Sequence, residues 1–133
     1  MESWQRIWRF GLAPRLSRRG LEALFKALLR DDPRLVQGRT MTPPPLLGLQ
    51  NAEVEAACAL GYCGWHGDGC ATVGSLEAYF DELCTAADEA LGEPAACRHF
   101  LDWFDATPRT AMRRQLLIEV DRTLHEAPAP LAA

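Results

Sequence analysis

Four residues near the middle of the chain have the donor types of a soft-metal site. Cys58, Cys63, His66 and Cys70 follow the spacing C-x4-C-x2-H-x3-C. Three thiolates and an imidazole make a tetrahedral set suited to zinc. Five glycines between Gly61 and Gly74 would let a short loop wrap around the ion. Zinc is therefore the one cofactor these residues suggest. The order of ligands matches no standard finger or knuckle, however. Cys58 also falls on a face of small residues, where a buried thiol acting as a small hydrophobe is the simpler account. A Cys63–Cys70 redox pair is weaker still, because C-x6-C is not an active-site spacing.

The same glycines do not read as a phosphate cradle. Such a loop follows a strand, opens a helix and carries a Lys before Ser or Thr, whereas no basic residue lies between Arg39 and Arg98. His99 and Asp102 stand at i, i+3 and could exchange a proton with a substrate, but a surface pair beside an apolar stripe accounts for them equally simply. No serine has a recognisable nucleophile setting. No enzymatic activity is assigned on these grounds.

A second chemistry is recognition. Trp4, Ile7 and Trp8, with Phe10 and Leu12 as candidate extensions, form an apolar stripe at the N-terminus, with Arg6, Arg9, Arg15, Arg18 and Arg19 interleaved. Trp and Arg are favoured as anchors at protein interfaces. Trp65 and His66, beside Tyr62, form a second aromatic group in the glycine-rich stretch. The expected contacts with another protein are thus Trp4, Arg6, Trp8, Arg9, Trp65 and His66. The competing account of residues 1–16 is that they pack on the chain's own acidic part. An anionic membrane surface ranks below a protein partner, because the segment is short. Nucleic acid is disfavoured by the acidic body, and self-association through a small-residue helix face is a further option.

The charges are segregated along the chain. Lys and Arg number 14 and Asp and Glu 18 over 133 residues, for a formal charge of −4. Residues 1–39 hold nine basic and four acidic side chains, residues 40–97 nine acids and no Lys or Arg, and residues 98–133 five of each. The segments therefore sum to +5, −9 and 0. Such asymmetry points to a charged interaction surface. Hydrophobic residues at 48% exclude a disordered chain, and no apolar run approaches the roughly 20 residues that cross a bilayer. An odd number of cysteines without an export signal argues against a complete disulfide framework, so a reducing cytoplasm is the expected compartment.

These residues must be positioned by helices. Ser17 caps a helix carrying Leu21, Leu24, Phe25, Leu28 and Leu29, which stops near Pro33. A proline-rich connector, Pro43-Pro44-Pro45, follows. A second helix is expected from Asn51 through Gly61, then an irregular glycine loop to Gly74. A third runs from a Ser75 cap to Gly92 with Leu76, Tyr79, Phe80, Leu83, Cys84, Ala87 and Leu91 inward. A fourth carries Cys97, Phe100, Leu101 and Phe104, and a last one opened by Thr107-Pro108 carries Met112, Leu116, Val120 and Leu124. Cys84 and Cys97 read as core thiols. Strand signals are confined to Leu35-Val36 and Ala71-Thr72-Val73, neither with an evident partner.

The sequence thus predicts one all-α domain, a small bundle of about four main helices. Its parts are a basic aromatic segment at 1–16, a helix and connector at 17–39, a helical body at 46–125 and a frayed tail at 126–133. The function it suggests is that of a small adaptor or accessory protein, the alternative being a zinc-type or thiol-based protein.

Overall fold

The N-terminal residues fold onto the body. In the computed structural model, which describes residues 1–126, helix α1 (Ser3–Ile7) continues through a π-type turn (Trp8–Leu12) and a 3-10 turn (Ala13–Arg15). Trp4 and Trp8 are 5% and 0% exposed. Trp4 stacks on Trp103 with ring centroids 3.6 Å apart, and the Trp8 indole N–H donates to Thr123 Oγ1 at 3.1 Å. Arg6 reaches Glu93 at 2.7 Å, while Arg9 grips Glu119 through two hydrogen bonds of 2.7 and 2.9 Å. Glu119 is the one buried charged residue among those described. The Arg9 guanidinium holds its carboxyl below the usual range.

Helix α2 (Arg18–Arg30) begins as its spacing predicts, with the Ser17 hydroxyl accepting from Gly20 N at 3.0 Å. It ends where Asp31 enters the left-handed region at φ 53. Two acids at a helix C-terminus oppose the helix dipole, and both are compensated: Asp31 by Arg109 at 2.7 Å and Asp32 by Arg34 at 2.8 Å. Leu21, Leu24, Ala27 and Leu28 form the buried stripe, and Leu29 is exposed.

Residues 51–58 are not helical. Strands β1 (Met41–Thr42) and β2 (Ala56–Ala57) pair antiparallel, and Leu35 bridges Ala57 while Glu53 bridges Thr72. The short extended pieces thus find partners far away in sequence. The expected glycine loop is also replaced, by helix α3 (Ala59–Gly67), for which Cys58 is the cap. A glycine costs about 1 kcal/mol in a helix interior, so the helix must gain elsewhere. It gains by close approach. The Tyr79 ring fills the space beside Gly64, and Gly67 lies so near Gly20 that a Cβ would overlap backbone.

Helix α4 (Val73–Leu91) is capped by Thr72, with Ser75 as its reciprocal partner rather than the cap itself, and Gly92 closes it at φ 61. Helices α5 (Ala96–Ala106) and α6 (Arg109–His125) follow as the spacing predicts. Cys97, Phe100, Leu101, Phe104, Met112, Leu116 and Val120 are buried, and Leu124 half-buried. The described residues therefore hold six α-helices rather than about four, because α1 and α3 escaped the pattern. Cys84 and Cys97 are not separate thiols: a disulfide joins α4 to α5. The predicted tail lies outside the described residues beyond Glu126. No helix among the described residues is long and apolar enough to cross a membrane.

Candidate functional site

The outer face of α2 carries Arg19, Ala23, Lys26 and Arg30, each three or four residues from the next. That spacing sets them in one row along the helix. The two alanines of α2, Ala23 and Ala27, leave the surface low between the long side chains, and a groove of about 690 Å³ opens there. Its far wall is built by Tyr62, His66 and Gly67 of α3, with Gly69 beyond, and Asp32 and Arg34 close one end.

The glycine contact described above sets the distance between the walls. The closing end is set by the backbone. Ala57 N donates to Arg34 O and Val36 N to Ala57 O, each at 2.9 Å, which fixes Arg34 beside the start of α3. Arg34 then holds Asp32 through Nε at 3.1 Å, Nη2 at 2.8 Å and its own amide at 2.9 Å. The Tyr62 hydroxyl donates to the same carboxylate at 2.8 Å. The Arg34 hydrogen bonds hold the Asp32 carboxyl far below its usual range. Burial, with the hydrogen bond to Asp32, pushes the Tyr62 phenol up to about 12.

Arg34 also lies over the Trp65 ring, 5.8 Å from its centroid. His66 packs between the rings, 4.6 Å from Tyr62 and 4.1 Å from Trp65. Partial burial and then the Arg34 charge lower its pKa. His66 is therefore neutral at neutral pH and offers hydrogen bonding rather than charge.

The carboxylates of the groove are already engaged. Glu22 pairs with Arg18 at 3.0 Å and Asp32 with Arg34. Arg19, Lys26 and Arg30 form no ion pair among the described residues. A concave surface with uncompensated charge of one sign focuses its field on an oppositely charged ligand. What this arrangement can do chemically is hold an anion.

Of the residues expected to meet a partner, His66 lines the groove, and half-buried Trp65 packs against His66 and Arg34 without lining it. Trp4 and Trp8 are spent in the core, and Arg6 and Arg9 are committed to Glu93 and Glu119. Of the N-terminal aromatics only Phe10, 59% exposed, stays on the surface among the described residues. The zinc set is not assembled either. Cys58 caps α3, Cys63 is fully buried against Gly20, and His66 turns outward among the aromatics. No group of three or more His, Cys, Asp or Glu side chains among the described residues is placed to hold a metal ion. Burial pushes the Cys58 thiol up to about 11 and raises Cys63 as well. His99 and Asp102 part company, His99 lying 3.8 Å from Glu93 and Asp102 3.7 Å from Arg98.

Sequence reasoning counted Arg19 only among the basic residues of the N-terminal segment and did not single out Lys26 or Arg30 as contacts. Their signal was present as a polar row interleaved with alanines on the predicted helix. The link from Tyr62 to Asp32 had no signal, since it spans 30 residues. The chain matches no protein-family model, no curated protein and no solved structure.

Proposed function

We propose that the chain is a protein-interaction module whose recognition surface is the groove between α2 and α3. The observation that supports this is the row of three unpaired cations over an alanine floor, in a groove whose own carboxylates are already neutralised. Surface lysines and arginines scattered singly are ordinary. Three on one concave face, facing an aromatic wall that can exclude water, form a place where an acidic part of a partner gains more than it would on a flat surface. The reading keeps the adaptor function suggested by the sequence and moves its contacts from the N-terminus to α2 and His66.

Fluorescein-labelled poly-L-glutamate is the direct probe. Anisotropy should report binding that weakens as salt is raised, and Lys26→Glu with Arg30→Glu should lower the affinity at least tenfold. No binding by the wild type, or equal binding by the double variant, would refute the groove as a recognition surface.

A further inference from the structure

The acidic counterpart of this groove stands on the same chain. Helix α4 carries Glu77, Asp81, Glu82, Asp88 and Glu89, and none of the five forms an ion pair among the described residues. Within one copy the two helices do not neutralise each other, because α2 packs mainly on α3 and α6 while α4 packs on α3, α5 and the N-terminal turns. One copy therefore presents an unpaired cationic row and an unpaired acidic row on different helices.

The two rows share a register. Lys26 and Arg19 lie four and eleven residues before Arg30, and Asp81 and Asp88 lie four and eleven residues after Glu77. Both elements are helices, rising about 1.5 Å per residue, so each row is spaced by about 6 and then about 10.5 Å. An extended acidic segment does not fit as well. Its same-face side chains recur about every 6.7 Å, and no such multiple meets the roughly 16.5 Å from Arg19 to Arg30. Laid antiparallel, Glu77 meets Arg30, Asp81 meets Lys26 and Asp88 meets Arg19. Antiparallel alignment also sets opposite ends of the two helix dipoles together.

Side-chain size agrees with the charges. Between the second and third pairs, half-buried Cys84, joined to Cys97, comes opposite Ala23, so small residues face each other where the axes must approach. Asp81 is exposed, and Glu77 and Asp88 are half-buried. One Asp88 oxygen accepts from Cys97 N at 2.9 Å, which fixes that carboxylate and leaves its other oxygen for Arg19.

We infer that the partner of the α2–α3 groove is helix α4 of a second copy of this chain, seated antiparallel on α2 through the pairs Arg30–Glu77, Lys26–Asp81 and Arg19–Asp88. This rests on the groove being a recognition surface. Because groove and acidic row occupy different faces, each copy can give one contact and receive another.

A charge-swap experiment tests it. Lys26→Glu and Asp81→Lys change exposed side chains on intact helices, and circular dichroism with thermal unfolding should show both variants folded. Sedimentation of the wild type should give a mass above the monomer that falls to the monomer in about 1 M salt. Each variant alone should associate at least tenfold more weakly, because each sets like charges opposite each other. An equimolar mixture should regain association, since the substituted groove of one then meets the substituted α4 of the other. A wild type that stays monomeric while poly-L-glutamate still binds overturns the second-copy assignment alone. So does a mixture that fails to regain association. If poly-L-glutamate fails to bind as well, the groove reading falls with it.

Discussion

Replacing Gly67 by alanine sets two physical effects against each other with opposite signs. Helix propensity alone favours the change, since alanine is better than glycine in a helix by about 0.8–1 kcal/mol. Packing opposes it. The added methyl would overlap the Gly20 Cα and N and press on the Arg19 carbonyl carbon. All of these are backbone atoms, so no side chain can rotate away, and α3 must shift bodily from α2. Overpacking of this kind costs about 1–3 kcal/mol, and the absence of a flexible neighbour places Gly67 near the upper end. Gly67 is the last residue of α3, where the propensity gain is only partly realised.

The net expectation is a loss of about 2 kcal/mol, or a fall in Tm of roughly 6–8 °C for a chain of this size. The control is Gly69→Ala. There the new methyl meets nothing within 4 Å, although φ is +74, so only the left-handed strain of about 1 kcal/mol applies. Urea unfolding followed by circular dichroism should rank wild type above Gly69→Ala above Gly67→Ala. Gly67 also sets the separation of the groove walls, so its variant should bind poly-L-glutamate more weakly. A Gly67→Ala protein as stable as the wild type, or more so, would refute the close approach as the reason that α3 is helical.

Four further outcomes follow from the same geometry. Removal of residues 1–12 takes out Trp4, Ile7, Trp8 and Leu12, together about 6–12 kcal/mol of burial at 1.5–3 each, which rivals the whole stability of a typical domain; the truncated chain should lose its cooperative unfolding transition and near-ultraviolet dichroism. Thiol titration in denaturant without reductant should count three groups, and five after reduction, given the Cys84–Cys97 disulfide; in the native protein half-buried Cys70 should react before Cys58 and Cys63. Tyr62 and Tyr79 are the only tyrosines and both are raised, Tyr62 to about 12, so native phenolate absorbance should show no step near the ordinary value of about 10; the Tyr62 contribution to stability is intact below that value and lost as pH rises through the folded one, a loss that Tyr62→Phe should abolish. The Glu119 carboxyl is lowered, chiefly by the Arg9 hydrogen bond, so its contribution is present above the unfolded value of about 4.3 and disappears as pH falls through the folded one; in Glu119→Gln that part of the acid limb of a stability–pH curve should flatten.

How much of this was legible in the chain depends on how local the cause is. Helices α2, α4, α5 and α6 announce themselves through apolar residues at helical spacing and through Ser17, Gly92 and Pro108, all within a few residues of the structure they cause. Helix α3 does not. Its three glycines oppose a helix locally, and the compensation comes from Gly20, 47 positions away, and from Tyr79 on α4. Val54, Ala57 and Cys58 have helical spacing yet lie in an extended stretch, because residues 34–40 supply the hydrogen-bond partners for Ala57 and Cys58. The stripe at Trp4, Ile7 and Trp8 was readable as amphipathic, but its destination on Phe100 and Trp103 was not. In the groove His66, and beside it Trp65, stood out by type, whereas the Asp32 contact of Tyr62 depends on the chain crossing.

The segregation of charge along the chain is only partly resolved by folding. Arg6 and Arg9, the most N-terminal cations, find Glu93 and Glu119, so the first part of the basic segment is neutralised from two other segments. Asp31, an acid inside that basic segment, is in turn held by Arg109 from near the C-terminus. What these exchanges leave over is not random. The remaining cations of α2 face one groove, and the remaining acids of α4 lie on a different helix with the same spacing. Folding could have brought the two together, since α3 touches both helices, but the glycine contact draws α3 against α2 while Tyr79 fixes α4 on another side of it. The packing that makes α3 a helix is thus also what keeps the two charged rows apart within one copy. If α4 of a second copy does fill the groove, Gly67 and Lys26 act on the same association by different routes, the one by spacing the walls and the other by charge.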